Sequence, residues 1–187
     1  MVVDRLDIDP NTPVWFAMQA TRSREFMAQK ELKKDNIDSF IPMCNRPVVN
    51  NGRKQLELVP VISNLMFVYA PKSYMRDIKS KIPYIQFKHR TEGGLYYPIV
   101  VPTKQMCDFI KVYDATDQEK LLFYSPNDPA LKAGKKVRIH KQGGSLDGVE
   151  GVLVTVVGKR KRQLSLSIGD LTTLVTDINS DLIEIIE

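Results

Sequence analysis

Few residues in this chain have the types and spacing that covalent chemistry needs. His89 and His140 are the only histidines among 187 residues, and the expected elements separate them into different halves of the chain. Cys44 and Cys107 lie far apart, lack metal-ligand spacing and sit beside no motif that would activate a thiolate. Both read as free thiols of a reducing compartment. Asp114, Asp117 and Glu119 are acidic neighbours whose spacing matches no cation-binding loop. There is no Gly-x-x-x-x-Gly-Lys phosphate loop and no dinucleotide glycine fingerprint. An enzyme built on these residues has no evident nucleophile or metal centre. No catalytic residue, metal or cofactor is expected.

What the residues can do is neutralise phosphates. The net charge is +5, and it is unevenly spread. Residues 22–90 hold 14 Lys/Arg against 6 Asp/Glu, whereas residues 127–187 hold 9 against 8. A polyanion would therefore meet the first half. Arg22, Arg24, Lys30, Lys33 and Lys34 gather at the start and along one face of an expected helix, where basic side chains release counterions from a phosphate backbone. Phe26 and Met27 beside them offer either an apolar platform for an unstacked base or, as the favoured reading, a partly buried helix edge. A solvated basic face without a partner is the competing explanation. The same holds for Lys159-Arg160-Lys161-Arg162, which falls at an expected hairpin tip.

The elements that must position these residues follow from periodicity. Val14–Ala20 reads as a buried strand, and Ser23 as the N-cap of a helix reaching about Asp35, with Glu25 in its first turn and Ala28 and Leu32 inward. Residues 38–49 and 54–70 are β-rich and flank Asn50-Asn51-Gly52, a hairpin signal. A short helix at about 73–80 presents Met75 and Ile78 and stops at Pro83; a strand follows at 84–88. Thr103 can open another helix, with Met106, Phe109, Ile110 and Tyr113 on one face. This β-α-β-β-α-β-α order predicts an α+β arrangement of helices on an antiparallel sheet. Residues 114–133 break the periodicity and read as a linker, although Leu121–Tyr124 is apolar enough to dock on a domain. Five strands, at about 136–141, 149–157, 162–168, 172–178 and 182–186, predict a small barrel.

That last segment carries Gly134, Gly148 and Gly151, which read as tight turns between short strands, alternating with Val137, Ile139, Val149 and Val152. It resembles the KOW motif. Further upstream, Trp15-Phe16 precede a helix with Glu25, Ala28 and Leu32, and Phe40-Ile41-Pro42 close the next strand. Pro60-Val-Ile-Ser-Asn-Leu-Met-Phe-Val68 keeps the frame of a family hairpin strand, with Ser63 for the usual proline and Leu65 for the usual tyrosine. In order and spacing these fragments resemble the NusG family of transcription factors. Asn64 and the Leu-Asp-Gly-Val-Glu-Gly stretch resemble the specialised paralogues of the RfaH and UpxY antiterminator type. Two departures stand in the KOW segment: Lys141–Gly144 lengthens its first turn, and Gly144-Ser-Leu replaces Gly-Pro-aromatic.

The resemblance implies an NGN domain at 14–113, a 114–133 linker and an SH3-like KOW barrel at 134–187, after a tail at 1–13. It implies a non-enzymatic elongation or antitermination factor serving particular operons, such as those for surface polysaccharides. The β′ clamp helices of RNA polymerase would dock on Trp15, Phe16, Ile62, Leu65 and Phe67, with Arg76 at a second polymerase contact. For Trp15 on its own, burial in the core is the better expectation; Leu65 and Phe67 are expected at the contact. The lysine-rich helix would touch the non-template DNA strand, and the KOW domain would recruit a termination factor or a ribosomal protein. The alternative reading is a KOW-containing, ribosome-associated RNA-binding protein, which leaves the Trp15 strand and the 60–68 hairpin unexplained. No apolar run approaches the roughly 18–20 residues of a membrane span. Asp4, Asp7 and Asp9 make the N-terminus acidic rather than signal-like, so a cytoplasmic protein is expected.

Overall fold

The computed structural model describes residues 8–50, 52–140, 143–179 and 182–186. The expectations on Asp4, Asp7, Asn51 and the Lys141-Gln142 turn lie outside the described residues. The fold is α+β, and the chain divides into two compact units, Met1–Met43 with Leu58–Thr103, and Cys44–Glu57 with Lys104–Glu187.

The first unit is organised by β1 (Pro13–Ala20), a run of apolar residues that becomes the centre of a sheet. On one side β1 pairs with β5 (Leu65–Pro71), antiparallel, in a register that sets Trp15 opposite Tyr69 and Phe16 opposite Val68. On its other side β1 pairs with β6 (Ile85–Phe87) and with β9 (Val100–Val101), and β2 (Ser39–Phe40) extends the sheet beyond β5. Helix α1 (Glu25–Lys34) lays Ala28 and Leu32 on one face of that sheet. Helix α2 (Met75–Lys81), preceded by a 3-10 turn at Lys72–Tyr74, adds Met75 and Ile78. Phe16, Met18, Met66 and Val68 complete this core from the strands. β7 (His89–Glu92) and β8 (Leu95–Pro98) form a separate two-stranded sheet, as do β3 (Met43–Asn50) and β4 (Arg53–Pro60), whose residues Cys44–Glu57 group with the second unit.

In the second unit the sheet order is β10 (Leu122–Tyr124), β14 (Thr172–Asp177), β13 (Arg162–Ile168), β12 (Glu150–Val156), β11 (Leu131–Ile139), β15 (Ile183–Ile185), each pair antiparallel. Among the described residues no ladder joins β10 to β15, so the path is an open one. Two glycines permit its close packing. A Cβ on Gly134 would stand 2.6 Å from the Leu153 carbonyl oxygen, and one on Gly151 would stand 2.8 Å from that of Ser165. Gly134 also sits in the register shift between Ala133 and Lys136, where β11 bends.

Helix α3 (Thr103–Ala115) buries Met106, Phe109 and Val112, while Ile110 and Tyr113 are only half-buried. Its residues from Lys104 onward group with the second unit rather than with Met1–Met43 and Leu58–Thr103. One link is polar. The buried Asp108 carboxylate accepts bonds from Lys104 Nζ at 2.6 Å and from the Glu150 backbone N–H at 3.2 Å. The segment read as a linker contributes β10 and the start of β11, because Leu122 and Tyr124 pack with Leu131, Val154, Val156 and Val175. Among the described residues no helix is long and apolar enough to cross a membrane, and no group of three His, Cys, Asp or Glu side chains could hold a metal ion.

Candidate functional site

The turn between β1 and α1 departs from the expected cap. Arg24, not Ser23, is the N-cap residue, and no side chain caps the helix. Arg22 and Ser23 both take positive φ, at 58° and 53°. Asn64 makes this possible. It takes φ 68°, its side-chain oxygen accepts the Ser23 N–H at 2.7 Å, and its carbonyl accepts the Ala20 N–H at 2.8 Å. Its own N–H points at Glu25 Oε1, 3.4 Å away. Glu25 is buried and its second oxygen has no partner. Asn64 therefore ties the 60–68 strand motif to the start of the basic helix, a role its place in the motif did not reveal.

The five basic residues expected to face phosphate divide into two groups. Arg22, Lys30 and Lys33 are exposed, and Lys30 and Lys33 border a shallow hollow of about 510 Å³ with Ile37 and Asp38. Lys34 is exposed but bonds Glu31 at 2.7 Å. Arg24 is committed to the fold: its guanidinium donates to Thr21 twice, at 3.2 Å, and lies 4.3 Å from the Tyr84 ring centre. Phe26 and Met27, expected at a partly buried edge, are 43% and 56% exposed. An exposed aromatic one helical turn from Lys30 is a geometry that suits stacking as well as phosphate contact.

The residues expected at the polymerase contact lie on both sides of the sheet. Register puts Trp15, Leu65 and Phe67 on one face and Phe16 on the other, inside the core under α1 and α2. Phe16 is therefore a packing residue. Strand alternation allows at most one set of β5 side chains to be exposed, and neither set is. Leu65 is 2% exposed and Phe67 0%, while Met66 and Val68 are buried opposite them. A strand flanked by neighbours and covered on both faces reads as a continuous apolar run. Trp15, as expected, is buried, at 7%. Its ring lies 5.2 Å from that of Tyr69. Ile62 is half-buried and Arg76 is exposed on α2.

In the second unit Val137 and Ile139 are buried, Gly134 and Gly151 occupy the close approaches described above, and Gly148 turns with φ 74°. Two carboxylates of this sheet are paired with basic groups. Arg138 and Lys104 flank Glu150, at 2.9 and 3.7 Å, and the Arg138 guanidinium holds its carboxyl below the usual carboxylate range. His140 Nε2 lies 2.7 Å from Glu184, and that contact lowers the Glu184 pKa in the same way. Lys159–Arg162 is exposed at the β12–β13 turn.

The family described as "Transcription termination factor nusG" matches residues 13–108. No curated protein matches the chain. Among solved structures the chain is similar to one described as "Domain interaction in Thermotoga maritima NusG", at 16% identity and a TM-score of 0.40, over 96% of this chain and 100% of that one. A likeness that distant carries no argument, so the assignment rests on the sequence match. That match takes in β1 and its Trp15, the Glu25 helix and the 60–68 strand, just over half of the chain: the protein belongs to the NusG family of transcription factors.

Proposed function

We propose that this protein is an elongation or antitermination factor that binds RNA polymerase through residues 14–113, with the β′ clamp helices as its target. The family match over residues 13–108 carries the reading. The sheet face that gathers Trp15, Leu65 and Phe67 supports it, since helix docking needs large apolar anchors on a rigid floor. These anchors are buried in the folded chain, so a partner reaches them only after the side chains over them part. Ile62 and Arg76 are the first residues it meets. Exposed Arg22, Lys30 and Lys33 suit a non-template DNA strand beside the polymerase. The second sheet, nearly neutral in charge, is left for a protein partner, a termination factor or ribosomal protein, with residues 114–133 as the connection. Asn64 and the Leu146–Gly151 sequence favour a specialised, operon-restricted role of the RfaH or UpxY kind, acting in the cytoplasm.

The test is association of the purified chain with core RNA polymerase. Wild type should bind, while Ile62→Glu and Arg76→Glu, both outside the core, should weaken binding at least about fivefold, the scale of a central contact residue. Unaltered binding by both folded variants would remove this face from consideration. Recovery of ribosomal particles without polymerase would favour the ribosome-associated reading.

A further inference from the structure

We propose that the second unit binds a free, medium-chain aliphatic carboxylate in a hollow between the start of β13 and β15. The hollow measures about 670 Å³, a size typical of small-ligand sites. Leu153, Ile178, Ile183 and Ile185 wall it, and Lys161, Arg162 and Asn179 complete its lining. The ladders explain why apolar and basic side chains meet there. Residues opposite each other in an antiparallel pair share a face, as do residues two apart in one strand. Ile185 stands opposite Val137, Val137 opposite Gly151, and Arg162 opposite Thr155, with Leu153 midway between Gly151 and Thr155. Leu153, Arg162, Ile183 and Ile185 therefore share one face. Ile185 is 54% exposed, so an apolar ligand would take its side chain out of water.

The charges at its rim select the sign of the ligand. Among the described residues no acidic side chain lines the hollow, and none pairs with Lys161 or Arg162. The acids beside it belong to the opposite face. Glu184, between the two isoleucines, lies 2.7 Å from His140, and Asp177 accepts the Gln163 side-chain amide at 2.8 Å. An ammonium and a guanidinium only donate hydrogen bonds and a carboxylate only accepts them, so rim and head group match with charge-assisted bonds. The walls are branched aliphatic side chains, which suit a flexible hydrocarbon tail. A peptide laid in the same hollow would bring backbone N–H groups. Among the lining side chains only Asn179 carries an acceptor for them, and an N–H buried without one is costly.

The site lies within the second unit, so it holds or fails apart from the polymerase and DNA contacts proposed above. The test follows the backbone amide resonances of the full chain as hexanoate, octanoate or octylammonium is added below its micellar concentration. Octanoate should shift the amides of Leu153, Ile178, Ile183 and Ile185 and reach saturation. It should bind about tenfold more tightly than hexanoate, since each buried methylene contributes a factor of about four. Octylammonium, which has the same tail, should bind about tenfold more weakly than octanoate. Lys161→Gln with Arg162→Gln should erase the preference for the carboxylate and keep the dependence on tail length. Ile185→Ser, at an exposed position, should weaken octanoate binding. Lys159→Gln with Arg160→Gln, in the same turn but outside the hollow, should change neither preference. Equal binding of octanoate and octylammonium, equal binding of hexanoate and octanoate, or no saturable shift overturns the proposal. Tighter binding of a blocked tetrapeptide of acidic and aliphatic residues at the same amides makes this a peptide surface and overturns it too. Sedimentation of the chain with phosphatidylglycerol vesicles, abolished by Lys161→Gln with Arg162→Gln, makes it a membrane surface and overturns the free-carboxylate assignment.

Discussion

Asn64 offers the sharpest test of the local physics. It holds a left-handed backbone, with φ 68°, and accepts the Ser23 N–H at 2.7 Å. Alanine keeps neither advantage. A residue with a Cβ and no local polar group costs roughly 1–2 kcal/mol in this region. The lost acceptor adds about 0.5 kcal/mol, the low end of the range, because the Ser23 N–H is exposed and water can replace it. Asn64→Ala should therefore destabilise the first unit by about 2 kcal/mol. Glycine adopts the same φ freely and loses only the acceptor and some chain entropy, for a total of about 1 kcal/mol. The assay is urea unfolding followed by Trp15, the chain's single tryptophan, which lies in β1 and so reports on this unit alone. With slopes of about 1–3 kcal/mol per molar urea, Asn64→Ala should lower the midpoint by about 1 M and Asn64→Gly by about half as much. An alanine variant as stable as wild type, or more stable than the glycine variant, would refute the backbone argument.

Further outcomes follow from the charges. Lys30→Glu with Lys33→Glu should flatten the salt dependence of binding to bubble DNA, since each lost phosphate contact removes about 0.7–0.9 from the log–log slope; an unchanged slope would leave these lysines solvated. Arg138 depresses the Glu150 pKa in the folded chain, so the pair contributes stability above the unfolded carboxylate range and loses it as pH falls through the folded value. Wild type should therefore exceed Glu150→Gln in urea resistance near neutral pH, and the gap should close as acid takes the carboxyl through its lowered folded value. A gap that persists in acid would place the effect in packing instead.

The fold was legible where side-chain chemistry and backbone demand coincide. The apolar run at residues 14–18, the spacing of Ala28 and Leu32, and the turn at Gly148 each have few structural solutions, and the chain uses the expected ones, whereas Gly134 and Gly151 lie inside strands at close approaches rather than at turns. It was less legible where a residue's role depends on a distant partner. Ser23 looks like a cap, but Asn64, forty-one positions away, captures its N–H and moves the cap to Arg24. Leu122–Tyr124 lies between an acidic stretch and two prolines, yet β14 recruits it as a strand. Leu65 and Phe67 alternate correctly with Met66 and Val68, but alternation states which side chains share a face and not whether that face is covered. The pairing of Lys79 with Phe87 joins a helix to a strand and leaves no trace in local periodicity.

The strand order of the second sheet sets a sequence of events for a chain being synthesised. Its ladders pair Leu122 with Val175 and Val137 with Ile185, so both ends of the sheet wait for strands made last. In the first unit, β1 has met β5, β6 and β9 by Val101. The half that matches the family is therefore expected to fold on the ribosome first, while the second sheet still lacks the strands that complete it.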